Sequence, residues 1–185
     1  MSQLRLAGNV VRDDDTGLGF MGEVFHAAHL RREQARRAYP LVRVHDPDVT
    51  LKQWLAFVSR WTRIPERRGG LVSVADVRGY LHALFSYRIE IDLLHGRLMR
   101  VSNLIVGYLP GQAVRSTVVA TIERLAEDTG CSSVAIELAQ APAGPNDIAT
   151  RNALAGAGFT PCAVSLVRQE PPYLRPPVTT MLRLN

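Results

Sequence analysis

The densest group of residues able to do chemistry is the run Leu104-Ile105-Val106-Gly107-Tyr108-Leu109-Pro110-Gly111-Gln112-Ala113-Val114-Arg115-Ser116-Thr117. An apolar strand breaks at Pro-Gly and leads straight into the start of a helix. The first turn of a helix has backbone N–H groups without intrahelical acceptors and a positive dipole end, which suit a phosphate. The N–H groups of about Gln112 to Ser116 would converge on such an anion. Arg115 would add a guanidinium, and Ser116 and Thr117 their hydroxyls. The glycine spacing is neither that of a P-loop nor that of a dinucleotide-binding turn, and many crossover helices start this way and bind nothing.

A second group lies just before it. Ser102 and Asn103 are on the strand that feeds the break, and His82, Arg88 and Glu90 alternate on the preceding strand. A carboxylate such as Glu90 could take a proton through water; the same residues also read as cross-strand surface charges. Tyr108 and Cys162 are further side chains able to donate a proton, against plainer readings as a loop phenol and a small buried hydrophobe. His26 and His29 are three apart, but no cysteine or carboxylate completes a metal set. No Ser-His-Asp arrangement follows from the spacings.

The elements that must position these groups are legible in the pattern. Val24–Ala28 reads as a short strand. Leu30 to about Tyr39 reads as a charged helix limited by Pro40. Thr50–Trp61 reads as an amphipathic helix with Leu51, Trp54, Leu55, Val58 and Trp61 on one face and capping-box spacing at Thr50 and Gln53. Glu66–Gly70 reads as a polar loop, and Leu71–Ala75 as a strand. Tyr80–Leu93 alternates: Leu81, Ala83, Phe85, Tyr87, Ile89, Ile91 and Leu93 on one face, His82, Ser86, Arg88, Glu90 and Asp92 on the other, which predicts a half-buried antiparallel strand. A turn at His95-Gly96 returns it as Leu98–Val106. Val114, Val118, Ile122 and Leu125 then recur at helical spacing to Thr129, and Gly130 ends the helix. Ser133–Leu138 follows as a parallel strand with Val134, Ile136 and Leu138 buried. A helix with Asn146 as its cap runs to Ala157, before Gly158-Phe159. Cys162–Arg168 and Val178–Leu184 are expected as closing strands, joined by the proline-rich stretch 169–177. The expected fold class is α/β with a mixed, mostly antiparallel sheet: a loose N-terminal arm over residues 1–22, then one domain over 23–185.

The chain has 185 residues, 46% hydrophobic and 21% charged. That supports one domain with a real core and excludes a disordered chain. No apolar run reaches the roughly 18 residues of a membrane span, and residues 1–15 lack the apolar core of a secretory signal. Cys131 and Cys162 are the only cysteines and read as reduced thiols, so a cytoplasmic location is expected. The net charge is +5; Lys52 is the only lysine, so 21 of the 22 basic residues are arginine. A basic balance favours anionic partners, but arginines 31, 32, 36, 37, 67 and 68 form no nucleic-acid recognition motif and have no interleaved aromatics, which disfavours nucleic acid.

The order of elements, a charged helix pair, an antiparallel meander, then strand–turn–helix–strand–helix–strand, resembles the GNAT superfamily of N-acetyltransferases over residues 24–185. The family's pyrophosphate loop, Q/R-x-x-G-x-G/A after a strand ending Leu-x-Val, aligns with Leu104-Ile105-Val106 and Pro110–Arg115. Pro110 stands for the Gln or Arg, Ala113 for the first Gly and Arg115 for the second small residue. Asn146–Phe159 resembles the family's later small-residue helix closing in Gly-Phe. The resemblance implies an acyltransferase that moves an acetyl group from acetyl-CoA to an amine of an acceptor by direct attack. It implies cofactor contacts at Leu104, Ile105, Val106, Gly111, Gln112, Ala113, Val114, Arg115, Ser116, Thr117, Asn146 and Asn152. It also implies a tyrosine, as acid for the leaving thiolate, at the position held here by Leu154. Candidates for the proton-transfer roles are Glu90, Ser102, Asn103 and Tyr108. The alternative is a catalytically degenerate module on the same fold that keeps or has lost the CoA cleft. Strand exchange through the proline-rich connector would support a homodimer.

Overall fold

The computed structural model describes residues 25–108, 112–138 and 144–161. Within them five strands form one sheet in sequence order: β1 (Phe25–His29), β2 (Gly69–Asp76), β3 (Leu81–Asp92), β4 (Gly96–Val106) and β5 (Ser133–Ile136). The first three pairings are antiparallel and β4–β5 is parallel. Helices α1 (Ala35–His45) and α2 (Leu51–Trp61) follow a 3-10 turn at Arg32–Gln34, and α3 (Ala113–Asp128) and α4 (Pro145–Gly156) follow β4 and β5. The expected arm at 1–22 and the two closing strands lie outside the described residues. Among the described residues no helix is long and apolar enough to cross a membrane.

The sheet is covered on both faces. Val114, Val118 and Ile122 of α3 pack on Phe85, Tyr87, Met99 and Val101, while Ala38, Val42, Trp54 and Val58 of α1 and α2 pack on Leu71, Leu84 and Ile105. This corrects the half-buried reading of β3. Residues 83–87 are all buried, Ser86 included, because α1 and α2 roof the face that alternation alone assigned to solvent. Towards the hairpin tip no helix among the described residues covers either face, and Ile91 and Leu93 are exposed.

Several boundaries move for identifiable reasons. Pro40 lies inside α1 instead of limiting it. Its ring is on the solvent side, so the carbonyl it leaves free can bond to water, and Ala35, Ala38 and Val42 keep one buried stripe through it. Gly69 and Gly70 belong to β2, not to the loop. A Cβ on Gly69 would lie 2.6 Å from the Tyr87 carbonyl oxygen, so the close β2–β3 approach needs glycine there. β5 stops at Ile136; Val134 and Ile136 are half-buried and Leu138 is exposed, α3 being the helix that packs on that strand among the described residues. Asn146 is not the cap of α4, which is Gly144.

Other expectations hold. Thr50 caps α2: its hydroxyl accepts from the Gln53 amide and the Gln53 side chain accepts from the Thr50 amide, the reciprocal pair that defines a capping box. Of the two tryptophans, Trp54 is buried and donates to the Ala35 carbonyl, tying α2 to α1; Trp61 is half-buried. Gly130 and Gly158 follow α3 and α4 with φ +67° and +88°, where a Cβ would be strained.

Candidate active site

The centre of the site is a fault in β4. Ser86 pairs with Ser102 and Leu84 with Ile105, so Asn103 and Leu104 together oppose Phe85. This extra residue is a β-bulge, and Asn103 adopts φ 52°, a left-handed conformation that asparagine tolerates better than most residues. On the other edge β5 pairs with β4 only as far as Val101↔Ile136. The Glu137 amide then gives one more bond to the Val101 carbonyl, at 2.8 Å. Beyond it, residues 102–106 of β4 have no strand partner on that edge among the described residues.

The direction of those free groups follows from alternation. The Gly107 amide donates to His82 O at 2.6 Å, so Gly107 faces β3. Val106 therefore faces outward, and its carbonyl accepts from Asn146 Nδ2 at 2.5 Å. Ile105 faces β3 and Leu104 faces outward. An extended ligand with amide groups can pair with such an edge as an added strand would.

Next to this edge the first turns of α3 and α4 meet. Ser116 N donates to Gln112 O, so the amides of Ala113, Val114 and Arg115 precede the first α-type bond of α3 and lie in its first turn. Ser116 is not among them, contrary to expectation. The Ser116 and Thr117 hydroxyls donate back to Gln112 O and Ala113 O, leaving only their lone pairs outward. Arg115 is buried and its Nη2 donates to Asn146 Oδ1. Asn146 thus bridges the start of α3 to the end of β4. Between α3 and α4 lies a cleft of about 530 Å³, lined by Gln112, Arg115 and Ser116 on one side and Asn152, Ala153 and Ala157 on the other. Alanines and Gly156 keep it open.

The opposite sheet face carries the acid–base groups. Met99 and Val101 point to α3, so by alternation Arg100 and Ser102 point away from it. Arg100 Nε donates to Glu90 Oε2 at 2.9 Å, and its Nη1 lies 3.6 Å from Glu137 Oε1. The Glu90 hydrogen bond raises the Arg100 pKa above its already high ordinary value. Ser86 Oγ donates to one oxygen of Ser102, and Asn103 Nδ2 donates to Ser86 Oγ at 2.8 Å. This small network holds the bulge.

The structure therefore brings Glu90, Ser102 and Asn103 to one face around the splay. It sets His82 apart: His82 bonds Asp76 at 3.0 Å and holds that carboxyl below its usual range. Tyr108 is exposed, and a Cβ on Gly144 would lie 3.9 Å from its hydroxyl, so the phenol leans over the start of α4. Leu154, at the position of the expected tyrosine, is buried. Gly111 and Cys162 lie outside the described residues. His29 bonds the buried Tyr87 hydroxyl at 2.9 Å. Glu137 was not foreseen: read as an interior strand position, it instead ends the β4–β5 ladder at the mouth of the splay.

A sheet that splays between parallel strands β4 and β5, with a bulge in β4 and a helix N-terminus beside the gap, is the architecture of the GNAT N-acetyltransferases, and this chain has that fold. Neither a protein-family model nor a curated protein matches the sequence. Solved structures do match. Aminoglycoside N-acetyltransferase AAC(6')-Iy in complex with CoA aligns over 83% of this chain and 99% of its own, with TM-score 0.64 and 13% identity. Glucosamine-6-phosphate N-acetyltransferase from Arabidopsis thaliana aligns over 80% of this chain and 99% of its own, with TM-score 0.59 and 14% identity. Ribosomal-protein-alanine N-acetyltransferase from Brucella melitensis biovar Abortus 2308 aligns over 80% and 100%, with TM-score 0.60 and 16% identity.

Proposed function

We propose that the chain is an acetyl-CoA-dependent N-acetyltransferase acting on an amine. The observation that carries this is the outer edge of β4 beyond Val101, which has no strand partner among the described residues and runs beside the first turn of α3. The described residues fit the co-substrate: the outward backbone groups of Leu104 and the outward amide of Val106 suit its amide-bearing arm, the first-turn amides of Ala113 and Val114 suit its phosphates, and the α3–α4 cleft has room for more of it. That the similar solved structures are N-acetyltransferases, one with CoA bound, supports the same reading.

Acetyl-CoA would supply an activated acetyl thioester. The chain's own part is to orient the acceptor and move protons. Glu137 is the base: its carboxylate stands at the splay, 3.6 Å from Arg100, whereas Glu90 is held further from the splay by its 2.9 Å hydrogen bond with Arg100. Ser102 and Asn103 are engaged in the bulge network and position the strand. The outward amide of Leu104 is the donor available to an oxygen that gains negative charge. Tyr108 is the proton donor nearest the start of α4 and takes the role that Leu154 cannot.

Burial of Leu154 favours a second reading, a CoA-binding module without turnover. Two measurements separate the readings. Acetyl-CoA raises the thermal midpoint under both, by binding the folded state. Free thiol appears with a panel of amines only under the first. No midpoint shift in the millimolar range removes both.

A further inference from the structure

The charge of this chain is concentrated where an acceptor would arrive. Between Phe25 and Arg68 there are ten basic residues and four acidic ones, a net +6 against +5 for the whole chain. All ten are exposed. They lie on and around α1 and α2, the helices on the face opposite α3. The α3–α4 face is the one given above to the co-substrate, so the acceptor reaches the splay from the α1–α2 face.

On that face Arg88 is the cross-strand partner of Arg100. Two arginines directly opposite repel each other unless each is compensated. Arg100 is compensated by Glu90 and Glu137. Arg88 has no ion pair with a carboxylate among the described residues; its guanidinium is held 5.3 Å from the centre of the half-buried Trp61 ring. A cation–π contact fixes an arginine while leaving its N–H edge free to bind an anion. Arg60 and Arg63 flank Trp61 in sequence, and Arg68 O accepts from Ile89 N, so more positive charge surrounds it.

We infer that the acceptor carries an anionic group, carboxylate or phosphate, on Arg88 beside Trp61, with its amine at the Glu90–Arg100–Glu137 cluster. That cluster sums to one negative charge and suits an ammonium. Arg88 and Arg100 are neighbours across one strand spacing of about 5 Å, so amine and anion are separated by roughly 5–10 Å once side-chain reach is added. This rests on the acetyltransferase reading.

The test uses two matched pairs: ethanolamine against O-phosphoethanolamine, and the peptide Ala-Gln-Gln-Gly against Ala-Glu-Glu-Gly. In at least one pair the anionic member has about tenfold higher kcat/KM, which also tells phosphate from peptide carboxylate. Arg88→Ala brings that ratio close to one, Arg88→Glu inverts it, and Arg78→Ala, an equal charge loss at the remote β2–β3 turn, leaves it unchanged. Equal rates within both pairs, or a preference that survives Arg88→Glu, overturns the inference. If acetyl-CoA shifts the thermal midpoint but no amine turns over, the same pairs are compared by midpoint shift, and no Arg88-dependent shift overturns it. If acetyl-CoA itself gives neither shift nor turnover, the acetyltransferase reading is what fails.

Discussion

Replacing Asn146 by alanine tests the link between the two helix starts and β4. Its side chain donates to the Val106 carbonyl and accepts from Arg115. A bond to a charged donor contributes about 1.5–3 kcal/mol and a neutral one about 0.5–1.5. Asn146 is half-buried and Arg115 has other partners, so the loss falls at the lower end, about 2 kcal/mol. For a chain of this length that lowers Tm by about 4–8 °C. Asn146→Asp keeps an acceptor for Arg115 and loses only the donor to Val106, so it costs about 1 kcal/mol. Urea and thermal unfolding give both values. The decisive comparison is the double variant Asn146→Ala/Arg115→Ala: if the two residues act as one clasp, the combined loss is smaller than the summed single losses by at least about 0.5 kcal/mol. Additive losses, or an Asn146→Ala protein as stable as wild type, would refute the reasoning.

Glu137→Gln lowers kcat by about 100-fold while leaving the KM for acetyl-CoA in place, and Glu90→Gln costs much less; equal losses in steady-state assays would point instead to the shared Arg100 scaffold. Gly69→Ala drives a Cβ to 2.6 Å from backbone and costs about 1–3 kcal/mol in urea unfolding; an unchanged midpoint contradicts the close β2–β3 approach. Burial, with the Glu66 charge second, pushes the Tyr87 phenol up to about 12. The folded state then holds a proton that the unfolded state releases near pH 10, so stability falls as pH rises from 10 towards 12. Absorbance titration shows a phenol ionising near pH 12, and Tyr87→Phe removes that component; a titration that Tyr87→Phe leaves unchanged would be the contrary result.

Features set by local chemistry were legible in the sequence. The Thr50–Gln53 box, the stop at Gly130, the β3–β4 hairpin and the strand-to-helix break before α3 each depend on residues within a few positions of one another. What was not legible depends on partners far along the chain. Ser86 is buried because α1 and α2 lie over β3, which alternation within 80–93 cannot reveal. Pro40 is tolerated because of which side of α1 packs. The Asn103 bulge is a mismatch of register between two strands. Arg115 meets Asn146 from 31 residues away, and the role of Glu137 appears only where β5 leaves β4. The site's address was readable, whereas the identity of the groups meeting there required the fold.

Under the proposed function, acetyl-CoA lies along the outer edge of β4 and against the first turn of α3. Hydrogen exchange of the backbone amides, with and without acetyl-CoA, reads this directly. Added protection is expected at Leu104 and Val106 and at Ala113 and Val114, with the β1–β2 ladder unchanged. Protection elsewhere with these amides unaffected would contradict it.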